Sequence, residues 1–126
     1  MKKIINTSNA PQPIGPYSQA VLVNETLYIS GQIAINPETN NIINSDIESE
    51  THQVMQNLKA ILEEASSDFS KVIKSSIFVK DMGQFADINS VYGSYFDENT
   101  APARETVEVS RLPKDVNIEI SMIAHL

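Results

Sequence analysis

Between Ile47 and Ala65 the apolar side chains recur every three or four residues: Ile47, Val54, Met55, Leu58, Ile61, Leu62 and Ala65, with Thr51 in line. That period predicts an amphipathic helix with one buried stripe. Asn44 or Ser45 stands where its cap belongs, and Asp46, Glu48 and Glu50 bring negative charge to its positive end. Ser66-Ser67-Asp68 ends it. The runs Ala20–Val23 and Thr26–Gly31 predict a hairpin turning at Asn24-Glu25, with Ile33–Ile35 prolonging the second strand. Asn9–Pro16, broken by Pro11, Pro13, Gly15 and Pro16, reads as a loop, as does Asn36–Asn41. The β-branched and aromatic run Lys71–Lys80 predicts a covered strand. Met82–Asp97 predicts a second helix, capped by Asp81, that buries Phe85, Ile88, Val91, Tyr92, Tyr95 and Phe96. Two further strands, Glu105–Ser110 and Val116–Ala124, follow.

This order of elements predicts one α+β domain over residues 1–126: a two-layer, antiparallel-rich sheet with both helices on one face. The last strand alternates, with Val116, Ile118, Ile120 and Met122 on one side and Asn117, Glu119 and Ser121 on the other. In the strand before it, Val107 and Val109 share a side opposite Arg104, Thr106 and Glu108. If both apolar sides meet the helices, Arg104 and Glu119 point together to the far face. Ile123 lies on that far face among small and polar residues, so the face is expected to be covered by another subunit, with sites near the interface.

Composition narrows the chemistry. The 126 residues are 41% hydrophobic and 20% charged, the balance of a soluble globular chain, and no apolar run approaches bilayer-spanning length. Met1–Asn6 has no signal-peptide core, so a cytoplasmic location is the expectation. The absence of cysteine removes thiol nucleophiles and cysteine zinc sites. His52 and His125 form no metal-ligand spacing, so no metal is expected. A net charge of −7 argues against nucleic acid as a partner.

The chemistry-bearing stretch is Pro102-Ala103-Arg104 at the mouth of a strand, followed by Arg111–Asp115 and the strand carrying Glu119. A guanidinium fork matches a carboxylate bidentately, and a nearby glutamate can take a proton from water. An ion pair between Arg104 and Glu105 or Glu108 is the alternative use of the same groups.

The chain resembles the Rid (YjgF-type) family of reactive intermediate deaminases along essentially its whole length. The resemblance is carried by Asn9-Ala10-Pro11, Ile14–Gln19, Ser30-Gly31-Gln32-Ile33, Phe78–Met82 and Asn89–Tyr92. It is strongest at Pro102-Ala103-Arg104, Val107-Glu108-Val109, Arg111–Asp115 and Ile118-Glu119-Ile120. It implies a chorismate-mutase-like fold and a homotrimer with clefts between subunits. It also implies, for the 2-iminobutanoate/2-iminopropanoate deaminase subgroup, cofactor-free hydrolysis of 2-imino acids, released by pyridoxal-phosphate-dependent dehydratases, to 2-oxo acids and ammonia. On this resemblance Arg104 grips the substrate carboxylate, Glu119 activates water, and Tyr17 lines the cleft as a hydrogen-bonding partner. Ser30, Gly31, Asn89 and Thr106 then complete substrate binding, Gly31 by close backbone approach and Thr106 through its N–H. The chain departs from many relatives in having Glu105-Thr106 after the arginine, where they have Ser or Thr and then Cys, and Ala101 where they have an aromatic residue. Competing readings are a non-catalytic small-acid-binding or chaperone-like protein using the same clefts, a nuclease, and a mutase suggested by fold alone.

Overall fold

A computed structural model describes residues 1–126. Its strands are β1 (Lys2–Ile5), β2 (Ala20–Val23), β3 (Thr26–Gln32), β4 (Val72–Val79), β5 (Ala103–Glu108) and β6 (Ile118–His125). The helices are α1 (Ile47–Glu64) and α2 (Phe85–Gly93). All six strands form one sheet in the order β1-β2-β3-β6-β4-β5. Every neighbouring pair is antiparallel except β4–β5. That parallel pair needs a crossover connection, which α2 supplies.

The stripe on α1 packs as its period requires. Val54, Met55, Leu58, Ile61 and Leu62 are fully buried in one core cluster with Leu27, Ile29, Ile77, Val79, Ile118, Ile120 and Met122 of the sheet. The helix starts at Ile47, the first residue of the stripe. Asp46, not Asn44 or Ser45, is therefore the cap, and its carboxylate accepts the Ser49 N–H at 2.6 Å. The hairpin turns at Asn24, which takes a left-handed φ of 56°. Ile33–Ile35 does not prolong β3; Ile35 instead makes an isolated bridge to Ile42.

Three expectations are corrected. The segment Lys2–Ile5 is a strand at the sheet edge, although its two lysines disguise it. The second helix runs only over Phe85–Gly93, because Asp81 caps a separate 3-10 turn, Met82–Gln84, through the Gly83 N–H. Tyr95 and Phe96 lie beyond it and pack on Phe69, with ring centroids 5.3 and 5.4 Å apart.

The third correction concerns which way β5 faces. In the parallel register Ser75 lies beside Arg104, Ile77 beside Thr106 and Phe78 beside Val107. Ile77 is a core residue, so Arg104 and Thr106 face the helix layer. Val107 faces the open side and is 43% exposed. Glu119 pairs with Phe78 and also faces the open side. Arg104 and Glu119 thus leave the sheet on opposite faces. The valines of β5 are the misleading signal: on an edge strand they do not have to be buried. On the open face Ile4, Tyr28 and Val107 are each at least 43% exposed.

Candidate active site

The residues singled out in the sequence fall into two groups, one at each side of β4. The first is centred on Arg104. Phe85, Asn89 and Tyr92 sit at positions i, i+4 and i+7 of α2 and so share one stripe. Asn89 Oδ1 accepts a hydrogen bond from an Arg104 terminal nitrogen at 2.7 Å. The guanidinium carbon lies 5.5 Å from the centroid of Phe85 and 5.1 Å from that of Tyr92. Two aromatic rings and one amide therefore aim the guanidinium while leaving most of its donors unused. The Tyr92 hydroxyl donates to Ser75 Oγ at 2.8 Å, and burial holds its pKa above the usual value. The Thr106 hydroxyl, on the same face as Arg104, is buried without a hydrogen-bond partner. An orphan of that kind is costly and is relieved when a ligand supplies the missing bond.

Glu105, the departure from the family pattern, is harmless to this group. By alternation it lies on the open face, where Lys74 Nζ pairs with it at 2.9 Å and Ser76 donates to it. The Ser76 hydrogen bond first, and Lys74 second, hold its carboxyl below the ordinary range. Its charge is thus answered locally and on the far side of the strand from Arg104.

The second group surrounds Glu119. A cavity of about 540 Å³ is lined by Tyr17, Ser30, Gly31, Ile33, Lys114 and Glu119 among others. Burial alone raises the Glu119 carboxyl above its ordinary value. The buried amide of Gln19 holds the loop that carries Tyr17: it accepts the Thr7 N–H at 2.7 Å and donates to the carbonyls of Thr7 and Pro11 at 3.0 and 2.9 Å. Ser30 Oγ donates to the Ser18 carbonyl at 2.5 Å, so only the lone pairs of that hydroxyl remain for a ligand. Lys114 went unread in the sequence as a lining residue. It and Asp115 adopt successive left-handed conformations, φ 55° and 57°, in a turn tied by the Arg111–Asp115 ion pair at 2.7 Å. Consecutive non-glycine residues at positive φ are strained, and such strain collects at functional sites.

Gly31 is required by Glu119. A Cβ built on it would collide with Glu119 Oε2 and stand 2.8 Å from its carboxyl carbon. Gly31→Ala is therefore expected to push the carboxylate out of place while leaving the core intact. Any activity that depends on Glu119 should fall by about tenfold or more, with the melting temperature shifting by about 3 °C or less. Parallel activity and melting measurements test this; a fully active Gly31→Ala protein would mean that the position of Glu119 is immaterial.

A second groove of about 510 Å³ runs along α1 and residues 36–38. Its wall is almost wholly polar and its amides pair with one another, as Gln53 does with Asn57 at 2.9 Å. Apart from Thr7, it holds none of the groups described above. No cluster of acidic, histidine or cysteine side chains in the chain forms a metal site, and no helix is long and apolar enough to cross a membrane.

A mixed six-stranded sheet with two helices is the fold of a known family. Residues 7–126 match the family model described as Endoribonuclease L-PSP. A RutC family protein of Pyrococcus horikoshii is 54% identical over 125 residues, covering 99% of this chain and 98% of that one. A Rid-family protein of unknown function from Yersinia pestis superposes with a TM-score of 0.97 at 45% identity, over the whole of both chains. The structure of E. coli TdcF with bound serine superposes at 0.92 and 42% identity, over 98% of each. The chain belongs to the Rid (YjgF-type) family and has its α+β fold.

Proposed function

We propose that the protein hydrolyses small 2-imino acids, such as 2-iminopropanoate and 2-iminobutanoate, to 2-oxo acids and ammonia, at sites shared between copies in a cytoplasmic homotrimer. The observation that carries the reading is the split of the two groups. Arg104 and Glu119 lie on opposite faces of one sheet, with β4 between their strands. One chain cannot bring them to a single small substrate, whereas two chains can. The exposed apolar side chains Ile4, Tyr28 and Val107 on the open face give those chains a reason to meet.

In such a cleft Arg104 receives the substrate carboxylate through its free donors, and Thr106 offers its N–H and its orphan hydroxyl beside it. Glu119 of the other copy takes a proton from water as the water oxygen adds to the C=N carbon. The imine nitrogen gains a proton, with Tyr17 as donor or relay. The resulting carbinolamine collapses: its amino group takes the proton that Glu119 removed from water, the C–N bond breaks and ammonia leaves. The hydroxyl gives its proton back to Glu119 as it becomes the carbonyl of the 2-oxo acid, and that proton then returns through Tyr17. Orientation supplies most of the gain for a substrate already this labile.

The serine in TdcF favours one second reading, a small-acid-binding protein that uses the same groups without turnover. The nuclease of the family description has less support. His52 is engaged with Tyr95 and His125 with the Leu126 carbonyl, and the chain carries a net charge of −7.

Mixing two inactive proteins tests the shared site. Arg104→Ala and Glu119→Gln chains, unfolded together and reassembled in equal amounts, put both intact side chains in about a quarter of the sites of a closed ring. Recovery of about that share of wild-type acceleration, in an assay coupled to a threonine dehydratase, is the expected result. No recovery, with each parent inactive, would sink the shared-site reading.

A further inference from the structure

We infer that Glu50 is a positioning residue for Glu119: it pins Asn117, two residues upstream on the same chain, and so keeps the Glu119 carboxylate wedged against Gly31. The inference rests on the reading of Glu119 as the base.

Glu50 lies in the first turns of α1 and is completely buried. It takes part in none of the chain's salt bridges. A buried carboxylate without a counter-ion is costly. Here it is met by the positive end of α1 and by two donors from a single residue. Glu50 Oε2 accepts the Asn117 backbone N–H, and Oε1 accepts Asn117 Nδ2, both at 2.8 Å. The Asn117 carbonyl in turn accepts the Lys80 N–H at 3.0 Å, so Asn117 is held from both sides.

The arrangement asks for two acceptors on one side chain. Glutamine in the same place presents an NH₂ to the NH₂ of Asn117, so the second bond survives only if the Asn117 amide turns over, and both bonds then lack the charge that strengthens them. For stability alone, an apolar side chain of similar volume would serve at position 50 without the desolvation penalty. What the carboxylate adds is a fixed start for β6. The tolerance downstream is small, since the Glu119 carboxyl carbon lies within 2.8 Å of the Cβ that Gly31 lacks. The other titratable groups lining that cavity are Tyr17 and Lys114, and Phe78 lies opposite Glu119 on β4.

The experiment compares wild type, Glu50→Gln, and the exchanged pair Glu50→Gln with Asn117→Asp, all as full chains. In the pair, the introduced aspartate carboxylate accepts from the introduced glutamine amide. The glutamine oxygen accepts the backbone N–H of residue 117, so the clasp is rebuilt with the charge moved across. Imine hydrolysis and the titration of Glu119 are read on each. The titration is followed by NMR on protein labelled at the glutamate carboxyl carbon, with the signal assigned by its absence in Glu119→Gln. Glu50→Gln should slow hydrolysis about ten- to a hundredfold and move the Glu119 titration down toward the ordinary carboxylate value, as the loosened side chain reaches water. The exchanged pair should recover both. If Glu50→Gln does not fold, Asn117→Ser, which removes only the side-chain bond, carries the same two readouts in the same direction.

A folded Glu50→Gln protein with unchanged Glu119 titration would overturn the inference and leave Glu50 a purely structural residue. So would an exchanged pair that recovers melting temperature but neither the titration nor the rate. Wild type without any imine hydrolysis would remove the base reading, while the titrations would still decide whether Glu50 positions Glu119.

Discussion

Glu119→Gln is expected to cut the acceleration of imine hydrolysis by about 10²–10⁴-fold, the usual contribution of a positioned base, while leaving substrate binding nearly unchanged. Glutamine keeps the volume that fits against Gly31 and removes only the ability to take a proton. The same change should stabilise the fold at neutral pH, by about 1–3 °C in melting temperature. The sign follows from burial, which raises the Glu119 carboxyl in the folded state. The folded protein holds that proton more tightly than the unfolded chain does, so the ionised form weakens the fold once the pH exceeds the unfolded carboxylate range. The advantage of glutamine should vanish as the pH is lowered and Glu119 becomes protonated in both states. In wild type the acid limb of the pH–rate profile should lie above the ordinary carboxylate value of 4.5 for the same reason. A Glu119→Gln protein with wild-type turnover would place the base elsewhere, with Tyr17, which lines the same cavity, the nearest alternative.

Arg104→Lys should be almost as damaging as Arg104→Ala, which distinguishes recognition of a carboxylate from mere positive charge. Lysine keeps the charge but loses the planar fork that matches a carboxylate. It also gives up the stacking geometry over Phe85 and Tyr92. A charge-assisted bond is worth about 1.5–3 kcal/mol, so a loss of roughly 10- to 150-fold in acceleration is expected for lysine at limiting substrate. Asn89→Ala should fall between wild type and lysine, because it frees the guanidinium without removing it. Steady-state rates at low substrate for the three variants check the order. Full activity of Arg104→Lys would mean that the carboxylate is held by other donors.

Much of this was open to a reading of the sequence, and the failures are instructive. The α1 stripe and the alternation of β6 were legible because each buries one full face, so the pattern along the chain mirrors the packing. Asn24 betrayed its turn through a residue type that tolerates positive φ. Lys2–Ile5 was missed because an edge strand four residues long needs few apolar positions. The orientation of β5 was misread for a related reason. Its facing is set by its register against β4, a contact about 30 residues away in sequence, and not by its own valines. That single error placed Arg104 and Glu119 on one face of the sheet. Glu50 was read as a helix-end charge; its partner, Asn117, lies 67 residues on. Nothing local announces such a clasp.

The two margins of the sheet have a further consequence. β1 carries Lys2 and Lys3, and β5 carries Arg104, Glu105 and Glu108. Unpaired strand edges invite the growth of open-ended ribbons, and charged side chains along them discourage it. Because both margins are charged while the face between them leaves Ile4, Tyr28 and Val107 exposed, the proposed assembly would meet face against face and not edge to edge. In that assembly, association would close on itself after a few members instead of running on as a fibre, and crowded conditions should favour finite particles over filaments.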